Sequence, residues 1–184
     1  MLFRSLRRLN TLAPLGPPLG EQALVGWEAG VARGGRCFFD EGRPERPPPR
    51  MRIVLDTNVL MSGVFFSGPP SRILGAWADG RLDLLATLDI LSEYRRIATR
   101  LSKKYPVVDV ESVVDLVIRE SRIVEPAPVA DDACDDKDDV KFLACAISGQ
   151  ATCVVSGDRA LLRASGHGGV EVVTPRDFLT RFLT

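Results

Sequence analysis

Asp56 closes the apolar run IVLD, and Asp158 follows the apolar run TCVVS within SGDRALL, so two carboxylates stand at the ends of segments that read as buried β-strands. Glu93 lies within LDILSEYRRIATRLSKKY, whose apolar residues at 88, 91, 94, 97, 98 and 101 keep a helical period. At about 100° per residue, Glu93 falls on the border between that apolar face and a face carrying Arg95, Arg96, Arg100, Lys103 and Lys104. A side chain at such a border can reach a cleft. Asp136, Asp138 and Asp139 stand at the start of the helix DDVKFLACAIS, where the positive end of the helix dipole favours anions. Singly, each has an ordinary explanation, because Asp is common at strand ends and helix N-termini and Glu is common on surface helices. Together, oxygen-only acids gathered at one edge of a sheet, without histidine or cysteine, suit a hard cation such as magnesium or manganese. Such an ion lowers the pKa of a bound water and offsets charge on a phosphoryl group during in-line displacement.

Other reactive groups are sparse. Cys37, Cys134, Cys145 and Cys153 form no C-x-x-C pair, and the single histidine, His167, lies in a Gly-rich turn, so no zinc site is expected. Cys145 and Cys153 sit in apolar runs and read as small buried hydrophobes, which fits a reducing cytoplasm better than a disulfide framework. Formal net charge is zero but unevenly placed: residues 1–50 carry eight Arg against five acids, and residues 51–184 carry 16 basic against 19 acidic side chains. A mildly acidic domain is no general clamp for polyanions, and positive charge must come locally or with metal ions. The five cations between Arg95 and Lys104 could receive an RNA backbone, and would equally suit a solvated helix face with cations near its C-terminus.

These residues need a scaffold, and the sequence supplies one domain's worth. The 134 residues from Met51 onward can bury a single core, and no run reaches the roughly 20 apolar residues of a membrane-spanning helix. Residues 1–50 hold seven of the 13 prolines and seven of the 16 glycines, a composition expected to be disordered. Their first 20 residues carry three Arg and no acid, as a short targeting helix would; the preferred reading is a non-functional extension, because Met51 immediately precedes the first strand signal. From there strand and helix signals alternate. Strands are expected at 52–56, 82–87, 122–125, 152–156 and 170–173. Helices are expected from Pro69-Pro70-Ser71 to Gly80, over 88–105 up to Pro106, over 109–121, through the acidic block into KFLACAIS, over 158–164, and after Thr174 with Pro175 in the first turn. Such interleaving implies a parallel sheet covered on both faces, with ligands at the carboxyl ends of its strands.

MRIVLDTNVLMSG, Glu93 in its helix, and CDDKDDVKFLACAISGQATCVVSGDRALL together resemble the PIN-domain family, in particular bacterial members described as toxins of toxin-antitoxin systems. The resemblance spans about residues 51–180, and the order of acidic cluster, KFL, small apolar helix and strand-SGD is its most specific part. It implies a three-layer α/β/α fold around a mostly parallel sheet. It also implies a metal-dependent endoribonuclease of single-strand type, with magnesium or manganese held by Asp56, Glu93, Asp139 and Asp158. Asn58 and Ser156 match positions that help orient metal or water in such proteins. Lys137 stands where Pro is usual in the family and Val140 where Asn is usual; counting back from KFLACA favours Asp139 for the site, with Asp138 as the supporting neighbour and rival ligand. Further implied partners are an RNA substrate, a cognate antitoxin protein and a second copy of the chain in a homodimer.

Two rival readings fit part of this pattern. A haloacid-dehalogenase-like phosphatase also opens with Asp after an apolar strand but needs a second acid two residues on, where this chain has Asn58. A catalytically silent PIN fold, acting as an RNA-binding or protein-interaction module, is the other; with all four acids present, nothing in the sequence demands it.

Overall fold

Apolar strands buried on both faces need helices above and below, and the chain provides them in alternation. The computed structural model describes residues 50–130 and 133–183. β1 (Met51–Leu55) leads into α1 (Thr57–Phe65) and α2 (Pro69–Ala78), and β2 (Leu82–Ala86) leads into α3 (Leu88–Lys104) and α4 (Val110–Glu120). β3 (Arg122–Ile123) is followed by a loop and a 3-10 turn (Lys137–Asp139) that opens into α5 (Val140–Gly149). β4 (Cys153–Val155), α6 (Arg159–Arg163), a second 3-10 turn (His167–Gly169), β5 (Glu171–Val173) and α7 (Pro175–Phe182) complete it. The strands form one sheet in the order β3-β2-β1-β4-β5, and every pairing is parallel, where the sequence implied a mostly parallel sheet. The readings of residues 1–49 as an extension or a targeting helix lie outside the described residues.

β1 is the middle strand, and its residues Ile53, Val54 and Leu55 are buried, as are Cys153, Val154 and Val155 of β4 beside it. Over them lies α5, contributing Phe142, Leu143 and Cys145. Each such side chain contributes about 1.5–3 kcal/mol by leaving water. Burial pushes the thiols of Cys145 and Cys153 up to about 12, consistent with their reading as hydrophobes. No described helix is long and apolar enough to cross a membrane.

Four local expectations are corrected. α1 was not foreseen between the first strand and Pro69; nearly all its residues are buried, so it has no polar face to reveal a helical period. Asp56 is not the last strand residue but the N-cap of α1, and β3 is two residues long rather than four. The acidic block does not continue the α5 helix backwards: Lys137–Asp139 form a tighter turn, and the α-helix starts at Val140.

Candidate active site

Each of four strands is followed by a residue that caps the next helix, directly after β1, β2 and β5 and three residues on after β4. Asp56 accepts from the backbone N–H of Asn58 at 3.1 Å, Thr87 from Ile90 at 3.4 Å, Asp158 from Ala160 at 2.7 Å and Thr174 from Asp177 at 3.1 Å. The rule that places Asp and Thr at helix starts thus also lines the carboxyl edge of the sheet with oxygen.

Asp56 is the centre of this edge. Its carboxylate is buried and both oxygens are engaged: Oδ1 by the Asn58 N–H, Oδ2 by the hydroxyl of Ser156 at 2.6 Å. Ser156 stands there because β1 and β4 are neighbours in register, with Leu55 opposite Val155. The same hydroxyl oxygen accepts from the backbone N–H of Asp158 at 2.9 Å, which ties the two strand ends into one unit. Burial pushes the Asp56 carboxyl above its ordinary value; the Ser156 and Asn58 bonds pull it back, and the charges of Asp158 and Glu93 push it further.

α3 delivers Glu93. Its Oε1 accepts from the hydroxyl of Thr57 at 2.7 Å, and its Oε2 accepts from the ammonium of Lys141, with Nη2 of Arg96 at 4.0 Å. The next residue, Tyr94, donates its buried hydroxyl to the Leu55 carbonyl at 2.5 Å, pinning α3 to the end of β1 one residue before Asp56.

The acidic block separates into roles. Asp135 accepts from Nε and Nη2 of Arg163, at 2.9 and 2.5 Å, fastening the loop to α6. Asp136 accepts from the Asp138 N–H at 3.0 Å and shapes the turn, and Asp138 itself is exposed. Asp139 is half-buried and caps nothing. Burial, then the charges of Asp56, Asp136 and Asp158, hold its carboxyl at about 7, against the opposing pull of Lys141. Of the two neighbours left by the sequence, Asp139 is therefore the one whose charge meets the acids at the strand ends.

The edge thus brings Asp56, Asp139 and Asp158 within electrostatic reach of one another, with Glu93 beside Asp56. Among the described residues no three acids, histidines or cysteines stand close enough to hold an ion as they are. In kind the donors fit a hard divalent cation: they are all oxygens, and like charge crowds Asp56 and Asp139. Of the basic α3 residues, Arg95, Arg96, Arg100, Lys103 and Lys104 are all exposed. Arg95 pairs with Asp115 at 3.0 Å and Lys104 lies over the Tyr105 ring, so Arg96 is the one of the five that borders the acids. Sequence reasoning missed Thr57, Tyr94 and Lys141. Lys141 had a signal, as the only charged residue in the ten of α5.

A family model described as PIN domain matches residues 52–160, a span that includes Asp56, Glu93, Asp139 and Asp158. No curated protein matches the chain in sequence. The crystal structure of PAE2754 from Pyrobaculum aerophilum is similar with a TM-score of 0.50, covering 71% of this chain and 94% of that one at 15% identity, a likeness of fold alone.

Proposed function

The chain belongs to the PIN-domain family, whose members are in general nucleases, and on that footing we propose that it is an endoribonuclease that hydrolyses RNA phosphodiester bonds with magnesium or manganese. The observation that carries this reading is the meeting of Asp56, Asp139 and Asp158 at the carboxyl edge, where burial first and the neighbouring acids second hold the Asp139 carboxyl at about 7. Asp56, Glu93, Asp139 and Asp158 would hold the cation, which when bound supplies a more acidic water and offsets phosphoryl charge. Ser156 and the Asn58 N–H orient Asp56, and Thr57 orients Glu93. Until these acids are neutralised they repel a polyanion, so binding of the cation and of RNA are coupled.

The test is cleavage of a generic single-stranded RNA with magnesium, with manganese and with chelator, by wild type and Asp56→Asn. Activity should require the metal and fall at least about a hundredfold in the variant, the scale of losing a group that holds the reacting centre. Cleavage that persists in chelator would sink the metal-dependent reading. A second reading, a silent RNA-binding module, draws on the absence of a ready three-ligand cluster among the described residues and on the occupation of Glu93 by Lys141. It is favoured if the protein binds RNA under every condition and cuts it under none.

The biological reading is the toxin of a toxin-antitoxin pair, acting as a homodimer and restrained by a cognate antitoxin protein. It is supported by the likeness of the DTN, KFLACA and SGD blocks to such members. Growth arrest on expression, relieved by Asp56→Asn, is the observation it requires.

A further inference from the structure

Of the two cations beside Glu93, Arg96 stands off at 4.0 Å and is exposed, whereas Lys141 is sheltered and bonds it directly. The ammonium of Lys141 reaches from α5 across to Oε2 of Glu93 on α3, and the two side chains are similarly sheltered, at 22% and 20% exposed. Thr57 already engages the other oxygen of Glu93 at 2.7 Å, so both oxygens are held from within the protein. The charge of Lys141 also reaches Asp139. Its stem is flexible and its ammonium compact, and Nζ sits 5.3 Å from the centroid of the Phe142 ring, at the rim of the apolar face of α5. Such a group can leave its partner without disturbing the helix.

We propose that Lys141 is a positioning residue of this site: an internal counter-cation that holds Glu93 while the acids stand alone and yields it when a divalent ion takes the carboxylate. The inference rests on the metal-centred reading above and deepens it. A carboxylate oxygen that accepts from an ammonium is not free to ligate, so Lys141 stabilises the metal-free fold and, by the same interaction, weakens the site for metal. Removing it must move the two properties in opposite directions. A lysine that merely joined two helices would not do this.

Manganese alone is titrated calorimetrically into the full chain as wild type, Lys141→Met, Lys141→Gln and Lys141→Arg, and thermal midpoints are recorded in chelator. The Met and Gln variants should bind manganese about tenfold more tightly, the scale of one charge-assisted hydrogen bond no longer surrendered, while their midpoints in chelator fall. Lys141→Arg, which keeps the charge, should stay near wild type in both. Arg119→Met removes an exposed cation paired with Glu120 and controls for net charge. If Lys141→Met does not fold in chelator, Lys141→Gln carries the test, and folding restored by manganese counts in favour. Unchanged or weaker manganese binding by the Met and Gln variants, with wild type binding normally, overturns the role of Lys141 alone. No binding by any of the proteins removes the metal-centred reading and this proposal with it.

Discussion

Asp139 is a side chain whose charge this fold disfavours. Its carboxyl is held at about 7 from an ordinary 3.8, so the folded protein grips a proton that the unfolded chain releases near the ordinary value. Between those values the native state binds more protons than the unfolded one, and stability falls as pH rises. Metal-free protein should therefore gain in thermal midpoint as pH drops from about 8 toward 5, in the direction set by Asp139 and reinforced by Asp56, whose carboxyl is also raised. Asp139→Asn should raise the midpoint in chelator at pH 8 and flatten this dependence. The same substitution should abolish RNA cleavage and lessen the stabilisation that manganese confers, because a poorer site is stabilised less by mass action. Asp138→Asn, at an exposed neighbour, is the control. If that variant loses cleavage and Asp139→Asn keeps it, the assignment is off by one residue.

At the scale of elements, α1 holds Thr57 against Glu93 and leans on α2 through Gly63. A methyl group at 63 would lie 2.5 Å from Cδ1 of the fully buried Leu74 and 3.0 Å from the carbonyl of Pro70. Alanine improves an exposed helix by about 1 kcal/mol over glycine, whereas overpacking a closed contact costs about 1–3 kcal/mol. Gly63→Ala should therefore destabilise on balance by up to about 2 kcal/mol, read as a lower urea midpoint with an unchanged slope; a stabilised variant would show that α1 and α2 can move apart. This helix also marks the limit of what was legible in the residues. The longer α3 announced itself because one face is wet, and Thr174-Pro175 marked the start of α7 by local capping chemistry. α1 is buried almost all round, so only the cap at Asp56, read as a strand end, could have revealed it. Asp56 and Asp158 could be placed by the strands they follow, whereas Thr57, Tyr94 and Lys141 act through contacts between elements that no spacing along the chain encodes.

For the whole molecule, charge decides how RNA could approach. Residues 51–184 carry more acid than base, and α3 is where five exposed cations lie along one segment that ends beside Glu93. Reversing Arg96 and Arg100 to Glu should weaken RNA binding and make its salt dependence shallower, because fewer counterions are released per complex. Unchanged affinity and slope in a filter-binding series would leave α3 a solvated face. The topology bears on time as well as on space. Ser156 holds Asp56 across 100 residues of chain, because the central strand takes one neighbour from β2 and the other from β4. While the chain is being synthesised, at about 5–20 residues per second, Asp56 precedes its partner by roughly 5–20 s. A ribosome-bound chain that ends before Ser156 has no β1–β4 edge and hence no joined cluster of acids. If the proposed nuclease reading holds, the emerging polypeptide has no assembled site until Ser156 has been made.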